Sequence, residues 1–197
     1  MRLTVFGATG RTGRLVVAAA SERGIELTAL VRDPAKAAFD ERVGIVAGDA
    51  RDPVAVAAAL DGANAVIAVM AIPEGTGPTT ALSDATGTIV AAMEAHGPAR
   101  LILTVNSSVF HDRPVEPPFD VVAQEHRRDL AILRASALDW TALAPTLLTD
   151  DAPSGTYVIG LDERASAVKI PRGDLAAAAL DALGNDDWVR RLVGVSA

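Results

Sequence analysis

The chain has 197 residues, half of them apolar, 22% charged and none of them cysteine, with a net charge of −7. The missing cysteines exclude disulfides, thiolate nucleophiles and Cys-ligated metal centres, and an acidic balance without clustered Lys and Arg excludes a nucleic-acid surface. Apolar runs stop well short of the roughly 20 residues that cross a bilayer, and Met1 leads straight into one of them, so we expect a cytoplasmic chain with no signal peptide, no membrane contact and one domain over 1–197.

The first element is a strand over 3–6 that turns through Gly7-Ala8-Thr9-Gly10-Arg11-Thr12-Gly13 into a helix with Leu15, Val16 and Ala19 on one face. A strand entering a helix through small residues aims backbone N–H groups at the helix N-terminus, where phosphate binds best. Gly7 permits the tight turn, Gly10 lets the backbone approach a pyrophosphate and Gly13 lets helix and strand pack closely. Gly7, Thr9, Gly10, Arg11, Thr12 and Gly13 are therefore the expected cradle of a dinucleotide.

Further strands are expected near 27–31, 44–47, 65–70, 101–105 and 140–143, each apolar on both faces as buried parallel strands are. Between them lie helices, one beginning at Pro53, one over 82–95 with Leu82, Ala85, Ile89, Val90 and Met93 in a stripe, and one over 119–135 with Val122, His126, Leu130 and Leu133 aligned. Another spans 174–183 and stops before Gly184-Asn185. Residues 156–159 and 165–170 read as the two strands of a small appended C-terminal hairpin. The alternation predicts an α/β fold, a doubly wound parallel sheet of the Rossmann type.

Ligands of such sheets collect beyond the carboxyl ends of the strands, at the topological switch point. After the second strand stands Arg32, where an acid would favour NAD and an arginine NADP. Arg32 with Arg11 offers planar donor forks to a 2′-phosphate, so we expect NADP(H). Asp33 is either a second ribose ligand or the cap of the next helix. Asp49 and Ala50 follow the third strand. Asp49 either accepts from the adenine amino group or shares with Asp52 the capping of the helix at Pro53. Val69, Met70 and Ala71 follow the fourth and should pass beneath the ribose and nicotinamide. The loop 73–80, with Gly75, Gly77 and Pro78, should rim the mouth. Asn106, with Ser107 and Ser108, follows the fifth strand, and Pro145 and Thr146 follow the sixth. Asn106 and Ser107 are candidate catalytic residues, and Asn106, Pro145 and Thr146 candidate cofactor ligands. The substrate pocket is expected between loops 70–82, 106–119 and 145–155. His96, His111 and His126 lack metal-ligand spacing, and Asp150-Asp151 and Asp186-Asp187 read as solvated, so no metal is expected. His126, on an apolar stripe, reads as a partly buried core histidine. The basic pairs Arg127-Arg128 and Arg190-Arg191 read as solvated faces, and Trp140 and Trp188 as packing residues.

Several blocks together resemble the atypical short-chain dehydrogenase/reductase family, its NmrA-like members and especially the biliverdin reductase B (flavin reductase) group. They include the glycine loop, Leu30-Val31-Arg32-Asp33, Gly48-Asp49, Pro78-Thr79-Thr80 with Ser83, Ile89-Val90-Ala91-Ala92-Met93 and Leu133-Arg134-Ala135-Ser136. The resemblance runs along nearly the whole chain. It implies an NADP(H)-dependent reductase passing hydride to a conjugated acceptor, such as a flavin, a quinone-like or a tetrapyrrole-like molecule, in a monomer or homodimer. It also implies an alternative, a non-enzymatic NmrA-like redox sensor that binds NADP(H). The Tyr-x-x-x-Lys pair of ordinary dehydrogenases would fall on the 119–135 helix, where the matching places hold Val122 and His126. The chain's one tyrosine, Tyr157, lies elsewhere.

Overall fold

The computed structural model describes residues 1–72 and 76–197. The elements run β1 (Arg2–Phe6), α1 (Arg11–Glu22), β2 (Glu26–Val31), β3 (Val43–Ala47), α2 (Pro53–Leu60), β4 (Ala65–Ala68), α3 (Ala81–His96) and β5 (Arg100–Thr104). They continue with α4 (Asp120–Ala135), β6 (Asp139–Pro145), β7 (Leu147–Thr149), β8 (Val158–Leu161), β9 (Lys169–Pro171), α5 (Arg172–Asp181) and β10 (Arg191–Ser196). Eight strands make one sheet in the order β3-β2-β1-β4-β5-β6-β10-β8, parallel throughout except for β8 against β10. No helix among the described residues is long and apolar enough to cross a membrane.

Alternation along the strands builds two cores. Leu3, Val5, Ala29, Val31, Ile67, Ile102 and Val193 turn to one face, where α1 and α5 cover them with Val16, Val17, Ala20, Leu175 and Ala179. Phe6, Leu30, Val66, Leu101, Leu103 and Ala142 turn to the other, under Val56, Ile89, Met93, Leu130 and Leu133 of α2, α3 and α4. A strand buried on both sides must be apolar at every position, which is why the runs read continuously. Trp140 and Trp188 are packing residues, 4% and 5% exposed.

Five details differ from expectation. The inner face of α1 is Thr12, Gly13, Val16, Val17 and Ala20, and Leu15 is 40% exposed, because contact between Gly13 and Gly7 sets the rotation of the helix. The third strand is an edge strand with one open side, so Ile45 faces outward. The fourth ends at Ala68, two residues early. Helix α5 starts at Arg172. Asp174, which as a Gly-Asp start reads like an N-cap in the sequence, lies buried inside the first turn instead, accepting from Ser154 N, Ser154 Oγ and Gly155 N at 2.9–3.0 Å.

The fifth concerns the appended hairpin: β8 and β9 do not pair with each other. Strand β8 joins the main sheet against β10, and β9 pairs in parallel with β7. Between them the chain turns at Asp162 (φ 58°), which exchanges hydrogen bonds with Leu192, and crosses the sheet over Gly160 and Gly194. These glycines are register partners. A Cβ on Gly194 would stand 2.4 Å from Glu163 O, and one on Gly160 2.7 Å from the same oxygen. Two missing side chains thus open the path that carries the chain to β7.

Candidate functional site

The sheet order reverses between β1 and β4, and the chain ends leaving these strands meet. Gly7 has φ 75°, and a Cβ there would lie 2.1 Å from Val69 O, so the glycine loop rests directly on the backbone following β4. Gly10 N donates to Gly7 O at 3.0 Å, and Gly10 caps α1 without any side-chain oxygen, leaving the helix N-terminus open. A Cβ on Gly13 would lie 2.1 Å from Gly7 O. Arg14 holds the loop from outside, donating to Thr9 O and Lys36 O.

Beyond these strand ends lies a cleft of about 1330 Å³. Of the expected residues, Gly7, Thr9, Gly10, Arg11, Thr12, Arg32, Asp49, Ala50, Val69, Met70, Ala71, Asn106, Ser107, Pro145 and Thr146 all line it. Gly13 does not, because it is spent on packing α1 against the loop. Pro73–Gly75 of the expected rim lie outside the described residues. Asp33 is absent from the lining and caps the short turn Pro34–Lys36 by accepting from Ala35 N.

Arg32 makes no hydrogen bond or ion pair among the described residues, so its guanidinium is available to a ligand. Asp52, not Asp49, caps α2. Asp49 accepts from Arg51 N, Nε and Nη2 at 2.9–3.0 Å, and the Arg51 side chain, then its N–H, holds the carboxyl down at about 2. Asp150 and Asp151 are solvated, as expected, and also ion-paired, Asp150 at 3.1 Å from Arg11 and 2.6 Å from Arg172 and Asp151 with Lys169. The basic pairs are also structural. Arg127 donates to His111 O and Arg113 O, Arg128 binds Glu125, Arg190 reaches Leu138 O and Ser136 O, and Arg191 pairs with Asp162. No group of three acidic or histidine side chains among the described residues could hold a metal.

At the far wall, Asn106 Oδ1 accepts from Ser108 N and Ser108 Oγ, which fixes the turn after β5 and leaves Ser107 facing the cleft. Thr146 is buried and its Oγ1 has no partner, although its N–H bonds Val195 O. A buried hydroxyl without a partner costs free energy until something bonds it. Val122 and His126 line the same wall. Tyr157 lies outside the cleft and donates to Asp181 at 2.8 Å, and burial, then Asp181, push its phenol pKa up.

His111, Phe119 and Leu147, from the expected pocket loops 106–119 and 145–155, line the cleft too, and sequence reasoning missed Arg164, Val168 and Arg172, which also line it. The last three depend on the crossing over Gly194, for which the sequence signal is only two glycines in separate strands. Five arginines (11, 32, 51, 164 and 172) face this cleft among the described residues, against the single carboxylate of Asp49. Arg51 is paired with Asp49 and Arg11 and Arg172 with Asp150, so the positive charge left for an anionic ligand is centred on Arg32 and Arg164. The cradle at Gly7 and Gly10, the free Arg32 and the orphan Thr146 hydroxyl fit a nicotinamide dinucleotide: backbone N–H and guanidinium for phosphates, a hydroxyl for an amide.

Residues 7–186 match the sequence profile of a family described as NAD(P)H-binding. Over 129 residues the chain is 35% identical to a 3-diazoavenalumate denitrifying reductase of a Streptomyces species, across 60% of this chain and 41% of that protein. Over 79 residues it is 40% identical to the isoflavone reductase homolog IRL of Zea mays, across 35% and 26%. The matches thus span less than half the length of these curated relatives. Among solved structures, a protein from Lactobacillus casei superposes with TM-score 0.86 at 26% identity, covering 100% of this chain and 99% of that one. ChuY, an anaerobillin reductase of Escherichia coli O157:H7, gives 0.86 at 23% over 100% and 97%. A wide-type short-chain dehydrogenase/reductase of Veillonella parvula in complex with NADP gives 0.79 at 19% over 100% and 94%.

Proposed function

This chain belongs to the NAD(P)H-binding family, and on that premise we propose that it is an NADPH-dependent reductase acting on a flat conjugated acceptor, a flavin, a quinone or a linear tetrapyrrole. The observation that carries this reading is the continuity of the cleft. It runs from the glycine loop and Arg32 to an open end bordered by the apolar side chains of Phe119, Val122, Leu147 and Val168. Its 1330 Å³ exceeds the roughly 300–1,000 Å³ of an ordinary small-ligand pocket, which suits a dinucleotide and an acceptor held together. The reductase names of the two curated relatives and of ChuY support the same class.

In this reading the loop 7–12 receives the pyrophosphate and Arg32 the 2′-phosphate. Asp49 and Ala50 border the adenine, Val69, Met70 and Ala71 lie beneath ribose and nicotinamide, and Asn106, Pro145 and Thr146 hold the carboxamide end. Ser107 faces the acceptor. NADPH bound there supplies the hydride. The chain orients the two flat rings and keeps water from the space between them, which lowers the entropic part of the barrier.

Purified protein given NADPH with FMN or menadione is expected to oxidise NADPH faster than the acceptor-free blank, read as loss of absorbance. Blank-rate turnover across flavins, quinones and linear tetrapyrroles would overturn the reductase reading, and NADPH binding without turnover would return the sensor alternative. Arg32→Ala is expected to raise the NADPH Kd about 10–100-fold, the worth of a charge-assisted hydrogen bond, and to leave the NADH Kd unchanged. Equal weakening of both in a titration would show that Arg32 does not read the 2′-phosphate.

A further inference from the structure

His126 and Asp129 lie three residues apart on α4, the spacing that puts two side chains on one face of a helix. Asp129 is completely buried and His126 is 6% exposed. Nδ1 of His126 stands 3.3 Å from Asp129 Oδ2, and Asp129 Oδ1 has no hydrogen-bond partner. The imidazole also lines the cleft, on the wall shared with Val122 and the turn after β5, and its Nε2 has no protein partner among the described residues. One ring nitrogen is therefore committed to a carboxylate while the ring opens on the space where the acceptor would lie.

We propose that the His126–Asp129 pair is the proton donor of the reduction, an inference that rests on the reductase reading above. A carboxylate accepting from Nδ1–H fixes the orientation of the ring and leaves Nε2 as the atom that faces the cleft and would carry the transferred proton. A buried carboxylate is costly unless a positive partner meets it, and the imidazole is the donor Asp129 has. Tyr157 is turned away to Asp181, so no phenol competes for this role.

The proton is required by the electron count. When the acceptor receives a hydride from NADPH, a new bond to hydrogen forms at its electrophilic atom. The displaced π pair moves to a heteroatom at the other end of the conjugated path. That heteroatom takes the proton from Nε2, the N–H bond breaks, and a neutral imidazole remains, held by Asp129. A solvent proton entering through the cleft restores the imidazolium. One NADPH and one proton are consumed, and NADP and an acceptor carrying two more hydrogens leave. His126 is the catalytic residue of this scheme, and Asp129 positions it.

The test uses the full chain with NADPH and menadione, whose oxygens must be protonated. His126→Gln is expected to lower kcat about 100-fold, the low end of what a positioned acid contributes, with the Kd for NADPH unchanged. Nitrogen NMR of the histidines in cofactor-free protein at the assay pH should show protons on both Nδ1 and Nε2 of His126, and Asp129→Asn should remove one of them and lower kcat as well. A merely structural pair would alter stability without altering that protonation. Wild-type turnover matched by His126→Gln, or an Nε2 without a proton, would overturn the dyad and leave the reductase standing. Absence of wild-type turnover with every acceptor would overturn both. Should His126→Gln fail to fold, the wild-type nitrogen spectrum decides alone.

Discussion

Gly13→Ala is expected to destabilise the protein by about 2–4 kcal/mol and to weaken NADPH binding by roughly tenfold or more, about 1.4 kcal/mol. The new Cβ would stand 2.1 Å from Gly7 O, 2.8 Å from Gly7 C and 2.9 Å from Ala8 Cα. All three are backbone atoms, so no side chain can rotate away. Relief requires α1 to lift from the glycine loop, and that carries Arg11 and Thr12 out of the cleft wall. Stability and affinity should therefore fall together, although Gly13 does not line the cleft. Gly87 supplies the control. It lies inside α3 with nothing within 4 Å of its missing Cβ, and alanine there should stabilise by about 0.5–1 kcal/mol through helix propensity alone. Thermal unfolding and a binding titration of both variants check the pair. A Gly13→Ala protein with wild-type melting and affinity would contradict the close packing described here.

Glu125→Ala should cost more in stability, about 3–5 kcal/mol. Glu125 is fully buried on α4, yet its carboxylate caps a different helix: Leu82 N and Ser83 N of α3 donate to Oε2 at 2.7 and 3.1 Å, and Ser83 Oγ to Oε1 at 3.0 Å. Arg128 completes the set from one turn further along α4 and also holds Thr79 O. Burial pushes this carboxyl pKa up, but the hydrogen bonds from Ser83, Arg128 and Leu82 outweigh it and leave the pKa below 4.5. A depressed folded-state pKa stabilises the protein above the unfolded value and loses that contribution as pH falls. Wild type should thus lose stability relative to Glu125→Gln on acidification from neutral pH through 4.5 and below, as measured by denaturant unfolding. Parallel pH profiles for the two proteins would exclude an ionised cap.

The parallel sheet, the glycine loop and most of the cleft lining were legible because each rests on local chemistry. Continuous apolar strands, Gly7 and Gly10 ahead of a helix, and polar residues just past strand ends all carry their meaning within a few positions. What sequence could not show depends on contacts between distant segments. Glu125 sits among residues of ordinary helical pattern, and only the approach of α3 makes it a cap. Val158–Leu161 has an apolar pattern that suits a hairpin or a sheet edge equally well, and the choice is made by β10 more than 30 residues later. Asp150 is solvated as its sequence suggests, but its pairing with Arg11 and Arg172, 139 and 22 residues away, leaves no local trace. Tertiary partners of this kind leave no periodicity to read.

The position of β10 has a consequence for how the protein comes into being. Strands emerge during synthesis in chain order, but β10 lies between β6 and β8, both made before it. Until residues 191–196 are available, β6 has no neighbour on that side and β8 has no sheet to join. The same strand anchors the cleft floor, through Thr146 N to Val195 O, Ala167 N to Ser196 Oγ and Ala197 N to Lys169 O. A nascent chain can therefore close its glycine loop against β4 early, while the wall that faces it is completed only once residues 191–196 have emerged. Such long-range pairing slows folding, and it couples the completion of the binding cleft to the arrival of β10.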